Sequence, residues 1–425
     1  MRSIKEIWLV LGCLVWIACN PQPDIHIPSP GVSAYGSQSM SLDKATYRDK
    51  VLGALVGSAI GDAMGASTEM WHRDDIRKVH GFINNLTPAI RTKSPEGTWK
   101  HNMLSGSTTD DTRWKQLTVN YIAESDKKVN PKAYANLIVE YFNQEVSNLS
   151  SSARNPVSDD FIEATDRMQW IQEWARVAEA YVNDEHEYDQ VLSRFYGGEM
   201  SCAGLLYSPV FGLIGNGAEE AYMLAFDHAI FDIGYAKDIS GLSAAMTRVA
   251  IEATEWDSVL KTFQFVDPYS FTNSRLVGRI AAGIADETKS FFDHLGNAAM
   301  DTADVSIPES FPYGKKEWLI HENIYDHLEE RQRHIPFHAG EIWQILYAGL
   351  YYGKGDFNKS MQFIINYGRD NDTVGAVAGM ILGAYVGYND LPNALKEMSI
   401  RVNKEVVGID LEELAHKLAD YYYPE

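Results

Sequence analysis

Two series of glycines, with a glycine at every fourth position, constrain how this chain can fold. We call them the glycine ladders: Gly53, Gly57, Gly61 and Gly65, then Gly375, Gly379, Gly383 and Gly387. Interior glycine destabilises a helix by roughly 1 kcal/mol relative to alanine, so four in succession require a compensating gain. Spacing of four places them on one face, where a helix backbone can approach a neighbour closely. We predict two core helices in close contact, either with each other or with bulky partners such as Trp114 or Trp343.

The rest of the chain carries a helical pattern almost throughout. Apolar residues repeat at helical spacing in three further stripes: Tyr47, Val51, Leu55 and Ala59; Phe161, Ala164, Met168 and Ile171 after a capping Ser158; and Trp343, Leu346, Ala348 and Leu350. Alternating runs of β-branched residues are scarce. The pattern predicts an all-α fold in one large domain over residues 42–425.

The N-terminus reads as a targeting segment rather than as part of the fold. Arg2 and Lys5 precede an apolar run from Ile7 to Ala18, which is shorter than the roughly 20 residues that span a bilayer. The run ends at Cys19 in a sequence resembling a bacterial lipobox, although Trp16 stands where an aliphatic residue is usual. We predict a lipoprotein signal over residues 1–19.

Other readings of this segment stay open. Cys13 is the alternative lipidation site, and an ordinary cleaved signal or a short anchor is the alternative to lipidation. Residues 20–41 are rich in proline and small polar residues, which predicts a flexible tether. The expected product is an exported bacterial lipoprotein of the periplasm or outer membrane, bound to the membrane only through its N-terminal lipid.

Charge and cysteine content narrow the classes of function. The formal net charge is −21, from 58 acidic and 37 basic residues, which disfavours nucleic acid and anionic lipid surfaces and tolerates divalent cations. After signal processing Cys202 stands alone, so an intramolecular disulfide and a thiolate zinc site are both excluded. Cys202 is then either a nucleophile or, as is more common, a buried apolar residue.

Two acidic motifs contain the strongest chemical signal. They are Thr109-Asp110-Asp111-Thr112 and Asp370-Asn371-Asp372-Thr373. Adjacent carboxylates raise one another's pKa unless a cation lies between them, and carboxylate and hydroxyl oxygens suit magnesium or manganese. Brought together, the motifs offer enough ligands for a binuclear site. The competing interpretations are helix N-caps, or a calcium loop that fails at Val374 and Ile381.

Three segments together resemble the ADP-ribosylglycohydrolase family, which includes hydrolases that remove ADP-ribose from modified proteins. They are Gly53 to Gly65 running on to Glu69; Thr109-Asp110-Asp111-Thr112; and Gly368-Arg369-Asp370-Asn371-Asp372-Thr373 with the helix following to Gly387. Their order and their spacing from the local glycines match the family over roughly residues 42–400.

The resemblance implies an all-α helical bundle with a central binuclear magnesium site, manganese being the other candidate ion. It assigns the metal ligands to Thr109, Asp110, Asp111, Asp370, Asp372 and Thr373. Glu69 corresponds to the family glutamate near the scissile bond and is our candidate general acid/base, with Asp111 as the rival. Gly368 and Arg369 are the candidate substrate-binding residues, Arg369 contacting a phosphate or pairing with an acid. Asp62 is expected to be structural.

The middle of the chain departs from the family pattern. Many members have an Asn-Gly-Ser-x-Met-Arg segment that holds the nucleotide, whereas the counterpart here is Glu199-Met200-Ser201-Cys202-Ala203-Gly204. Arg369 stands where glycine is common. The stretch from about Glu140 to Gln190 is also longer and richer in tryptophan than the resemblance predicts.

We therefore predict a magnesium-dependent hydrolase of an N- or O-glycosidic bond at the ribose of an ADP-ribosyl or related ribosyl substrate, small or protein-linked. The alternative is a lipid-anchored protein that binds ADP-ribose or a nucleoside without turnover. Terpenoid synthases also combine helices with acidic metal motifs, but their acids are spaced by two residues, unlike Asp110-Asp111.

Overall fold

The computed structural model describes residues 41–90, 102–126, 128–152, 159–296 and 300–424. The predicted signal over 1–19, both candidate lipidation sites, nearly all of the predicted tether, and Ser158 lie outside these ranges, so those interpretations stay predictions. Among the described helices, none combines the length and the apolar character needed to cross a bilayer.

The all-α prediction is confirmed, and the described ranges add short strands, short 3₁₀-helices and a π-helical turn. The α-helices are α1 (Lys44–Gly65), α2 (Arg73–His80), α3 (Asp110–Glu124), α4 (Pro131–Ser152), α5 (Asp159–Asn183), α6 (Glu185–Phe195), α7 (Ala218–His228), α8 (Ala236–Glu252), α9 (Trp256–Leu260), α10 (Thr262–Phe265), α11 (Ile280–Gly296), α12 (Gly314–Glu329), α13 (Ala339–Gly353), α14 (Phe357–Tyr367), α15 (Asn371–Val386), α16 (Asn393–Val402) and α17 (Leu411–Tyr422). The two-residue strands β1 (Trp71–His72) and β4 (Gly368–Arg369) pair antiparallel, as do β2 (Ala89–Ile90) and β3 (Asn102–Met103).

Helices α1 and α15 form the centre of the domain, and their glycine ladders face each other. A Cβ atom added at Gly57 would lie 2.3 Å from the carbonyl oxygen of Gly379, and one added at Gly383 would lie 2.0 Å from that of Gly53. Real Cβ atoms do not approach backbone this closely, so only glycine permits the contact. The prediction of two helices in close contact is confirmed, with the ladders as each other's partners in antiparallel order.

The central helix α1 is buried along nearly its whole length. Asp43 begins it by accepting hydrogen bonds from the amides of Ala45 and Thr46, which satisfies two of the orphan N–H groups at a helix start. The predicted stripe from Tyr47 to Ala59 is at most 2% exposed. Helices α8, α14 and α17 pack around the α1–α15 pair.

The β1–β4 pair joins the segment after α1 to the segment before α15. Trp71 lies opposite Arg369, and the amide of Met70 donates to the carbonyl of Arg369 at 2.7 Å. Gly368 has a φ of 84°, and a Cβ there would lie 2.3 Å from the carbonyl oxygen of Trp71. The close approach of the two strands therefore requires glycine at this position. The pairing brings Glu69 next to the second acidic motif.

Candidate active site

Both acidic motifs lie where a helix begins. Thr109 precedes α3 and Asp370 precedes α15, so the positive end of each helix dipole faces the carboxylates. The side chains of Thr109 and Asp370 nevertheless make no capping hydrogen bond. Capping therefore does not account for these residues, and their side chains are available to a common site.

Asp62, in α1, holds the first motif in position. Its Oδ1 accepts hydrogen bonds from the amide and the hydroxyl of Thr109, both at 2.9 Å. Its Oδ2 accepts from the amide of Thr112 at 3.1 Å and from its hydroxyl at 2.6 Å. Burial and the nearby Asp111 raise the pKa of Asp62 to about 6. The expected structural role of Asp62 is confirmed.

The two motifs meet side chain to side chain. The hydroxyl of Thr373 donates to Asp111 Oδ2 at 3.1 Å, across 262 residues of sequence, and the hydroxyl of Thr109 lies 3.4 Å from Asp372 Oδ2. Asp111 Oδ1 accepts from the buried ammonium of Lys115 at 3.2 Å. Motifs from opposite ends of the domain thus form a single cluster.

Three carboxylates converge in this cluster. One oxygen each of Glu69, Asp370 and Asp372 lie within 4.8 Å of one another. Asp370 and Asp372 are 4% and 2% exposed. Burial and Asp111 raise the pKa of Asp370 to about 7, while burial together with Glu69 and Asp370 raises the pKa of Asp372 well above its ordinary value. Anionic charge this concentrated favours binding either protons or a cation.

The donor set fits a hard divalent cation. Asp372 Oδ1 is buried without a hydrogen-bond partner, whereas buried polar atoms are nearly always paired. An oxygen-only set of carboxylates and a threonine hydroxyl matches the ligand preference of magnesium or manganese. Asp110 and Thr373 line the same cavity, so six predicted ligand residues surround or adjoin it: Thr109, Asp110, Asp111, Asp370, Asp372 and Thr373.

Arg369 and Gly368 do not line the cavity. The guanidinium of Arg369 forms a bidentate pair with the buried Glu341, from Nε to Oε1 at 2.6 Å and from Nη2 to Oε2 at 3.1 Å. Arg369 has a φ of 61°, a left-handed conformation that favours glycine and is uncommon for other residues. Of the two roles predicted for Arg369, the structure shows the pairing with an acid. Gly368 permits the close approach of β1 and β4.

Cys202 borders the cavity as a buried thiol. It is 5% exposed, and its Sγ lies 3.5 Å from Asp370 Oδ2. Burial and the charge of Asp370 raise the pKa of the thiol well above its ordinary value. A protonated buried thiol is a poor nucleophile, so the apolar interpretation of Cys202 applies.

A cavity of about 250 Å³ opens above the acidic cluster. Five aromatic residues also line it, and we call them the aromatic wall: Trp170, Trp174, Phe195, Tyr196 and Phe337. The tryptophan-rich stretch is a sequence signal for the first two of these residues. Phe195 is the last residue of α6, Tyr196 follows it, and Phe337 lies in the segment before α13. Nothing in their local sequence indicates a site.

Fold and site together define an all-α protein with a buried acidic cluster suited to a hard divalent cation. The sequence profile of the ADP-ribosylglycohydrolase family matches residues 43–425, so the chain belongs to this family and is a hydrolase of glycosidic bonds. It is 22% identical over 376 residues to the uncharacterized protein YegU of Escherichia coli (strain K12), spanning 88% of this chain and 97% of YegU. A solved structure described as an ADP-ribosylglycohydrolase-related protein complex shares the fold, with a TM-score of 0.52 and 17% identity, covering 89% of this chain and 99% of that chain.

Proposed function

We propose that this protein is a magnesium-dependent hydrolase that cleaves an N- or O-glycosidic bond at the ribose of an ADP-ribosyl or related ribosyl substrate. The observation that carries the proposal is the convergence of Glu69, Asp370 and Asp372, with the unpartnered Asp372 Oδ1, at the floor of a cavity. Membership of the family supports the glycosidic chemistry.

The metal ligands in this proposal are the residues of the two acidic motifs. Asp110, Asp111, Asp370 and Asp372 supply carboxylate oxygens, and Thr109 and Thr373 supply hydroxyl oxygens. Six ligands from one connected cluster suit two ions, with manganese as the alternative to magnesium. When bound, such ions orient ribose hydroxyls and a water molecule and offset negative charge.

Glu69 is the proposed general acid/base. Hydrolysis places the oxygen of water on the anomeric carbon, and the departing group leaves with the bonding electrons and a proton. Glu69 is only partly buried and lines the cavity, so it can exchange protons with both water and leaving group. Its rival Asp111 is 1% exposed, and both of its oxygens already accept hydrogen bonds. This difference supports Glu69.

Glu69→Gln is expected to lower kcat by about 10²–10⁴-fold, because the amide cannot transfer a proton. The matched control is Glu179→Gln, an exposed residue of α5 that should retain full activity. Magnesium-induced thermal stabilisation should persist in Glu69→Gln, since the proposed ligands are intact. Loss of the stabilisation would instead identify Glu69 as a ligand, and unchanged kcat would remove it from the mechanism.

Magnesium affinity is expected to increase as pH rises. The pKa of Asp370 is raised to about 7, so below that value protons compete with the metal for its carboxylate. For each proton displaced from the cluster, the apparent Kd for magnesium should fall about tenfold per pH unit between pH 5 and 7. Thermal shifts with magnesium and with EDTA measure this at each pH. Titration of other groups, such as the buried His228, changes Tm equally with magnesium and with EDTA. Its effect therefore cancels in the difference between the two measurements.

The proposal is tested by measuring sugar released from a panel of ribosyl compounds. The purified protein is incubated with magnesium and ADP-ribosylated peptides, nucleosides and simple ribosides. Release that requires magnesium and stops with EDTA is expected for at least one class. Folded, magnesium-bound protein that releases no sugar from any of them would contradict the hydrolase proposal and favour binding without turnover.

A further inference from the structure

We propose that Thr68 and Asn371 are positioning residues for the reaction, and that the hydrogen bond between their side chains sets the place of Glu69 beside Asp370. The proposal deepens the proposed function and rests on it, because it takes Glu69 as the general acid/base. Neither Thr68 nor Asn371 is among the described residues that line the cavity. They therefore act through their neighbours in the chain and not on the substrate.

The first contact that holds Glu69 joins the side chains of Thr68 and Asn371. Thr68 precedes Glu69 in the sequence, and Asn371 follows Asp370. Asn371 Nδ2 donates to Thr68 Oγ1 at 2.9 Å and to the carbonyl of Ile365 in α14, also at 2.9 Å. Both Thr68 and Asn371 are fully buried. Removing the hydroxyl therefore leaves a buried donor unpaired and cuts the link between the segment before Glu69 and α15.

The second contact joins the backbone on the other side of Glu69. Met70 follows Glu69, and its amide donates to the carbonyl of Arg369 at 2.7 Å. Met70 and Arg369 have φ values of 65° and 61°, which residues other than glycine adopt rarely because they cost free energy. Such conformations persist where surrounding contacts over-determine them. The bidentate pair between Arg369 and the buried Glu341 is one of these contacts.

Glu69 lies in a turn between the two contacts. The amide of Trp71 donates to the carbonyl of Thr68 at 3.0 Å, so Glu69 and Met70 are the central residues of a tight turn. Both ends of this turn are bonded to residues that flank Asp370. A turn held at both ends restricts where its central side chains can point. One carboxylate oxygen of Glu69 is thereby kept within 4.8 Å of the aspartate oxygens of the second acidic motif.

The position of Glu69 matters more for proton transfer than for metal binding. A general acid/base must lie within hydrogen-bond reach of the proton it transfers, and a displacement of about 1 Å can lower the rate by roughly 10²-fold. The metal ligands of the second motif lie at the start of α15, which the glycine ladders hold against α1 without help from Thr68. Loss of the contact is therefore expected to change kcat and to spare magnesium affinity.

Substitutions of Thr68 test the proposal in the full-length protein, on the ribosyl compound of the panel that wild type cleaves fastest. Thr68→Val keeps the shape and removes the acceptor, whereas Thr68→Ser keeps the hydroxyl. We expect kcat to fall by about 10–100-fold in Thr68→Val with KM changed less than about threefold, and Thr68→Ser to retain about half of wild-type kcat or more. The thermal shift induced by magnesium should match wild type in both.

The matched control is Thr288→Val. The hydroxyl of Thr288 is also buried and donates to the carbonyl of Ile284 at 2.8 Å, within α11. This variant loses a comparable hydrogen bond away from the turn, so we expect wild-type kcat whatever its Tm. Thr68→Ala has no hydroxyl and less volume, and it gives the same comparison if Thr68→Val does not fold.

A double-mutant cycle separates positioning from a general structural role. If Thr68 acts through Glu69, Thr68→Val should lower kcat by less than about threefold in protein that already has Glu69→Gln, because the group that it positions is no longer active. Equal losses in the two backgrounds, or wild-type kcat in Thr68→Val, would overturn the proposal and leave the proposed function intact. Wild-type kcat in Glu69→Gln, or cleavage of no compound by the wild type, would instead contradict the proposed function.

Discussion

Asp372→Asn is expected to abolish magnesium-dependent hydrolysis, with a loss of at least about 10³-fold in kcat/KM. Asp372 is 2% exposed, its Oδ1 has no protein partner, and its carboxylate lies within reach of Asp370 and Glu69. Asparagine retains the shape but removes the charge and one of the two acceptor oxygens. A preorganised ligand that is lost at the reacting centre removes transition-state stabilisation as well as metal affinity.

The same substitution should leave the fold intact. Burial and neighbouring carboxylates raise the pKa of Asp372, so a neutral amide relieves repulsion in the metal-free protein. We expect an unchanged or higher Tm in EDTA, and no further rise with magnesium. Asp390→Asn, at an exposed site, is the control that should behave as wild type. More than about a tenth of wild-type activity in Asp372→Asn would exclude Asp372 from the essential ligands.

Gly61→Ala is expected to destabilise the protein by more than about 3 kcal/mol or to prevent folding. The added Cβ would lie 1.9 Å from the carbonyl oxygen of Gly375 and 2.2 Å from its carbonyl carbon. These atoms are backbone of α15 and cannot rotate aside, so α1 and α15 would have to separate along the ladders. Overpacking of a rigid core costs typically 1–3 kcal/mol, and a backbone clash lies beyond that range.

Gly283→Ala is the matched control for this prediction. Gly283 lies inside α11, and a Cβ there would meet no atom within 4 Å. Alanine should stabilise that helix by about 0.5–1 kcal/mol, the ordinary propensity difference. Urea unfolding of the three proteins measures both effects. A Gly61→Ala protein as stable as wild type would contradict the close packing of α1 against α15.

The all-α class and the positions of core residues could be predicted from the sequence, because both depend on local periodicity. The stripe from Tyr47 to Ala59 and the stripe around Trp343 repeat at the helical period and are buried as expected. The acidic motifs could also be recognised in the sequence. Adjacent carboxylates in so short a segment repel each other unless a cation or a proton lies between them. Their mutual contact, through Thr373 and Asp111, was a hypothesis that the fold confirms.

The residues that surround the acidic cluster were harder to predict from the sequence. Phe195, Tyr196 and Phe337 are unremarkable aromatic residues in sequence, and only their convergence makes them a wall. The environment of Arg369 depends on Glu341, which lies on α13 and is 28 residues away in sequence. No local pattern specifies such a pairing.

By itself, the sequence determined the helical class, the need for two close-packed backbones, and the acidic residues that are the candidates for binding a hard cation. Those properties follow from periodicity, from the missing side chain of glycine and from the chemistry of adjacent carboxylates, all of which act over a few residues. Only the tertiary structure decided that the glycine ladders face each other, that Glu69 joins Asp370 and Asp372, and that aromatic rings line the cavity. These contacts join segments far apart in the chain, and their geometry depends on how the whole core packs.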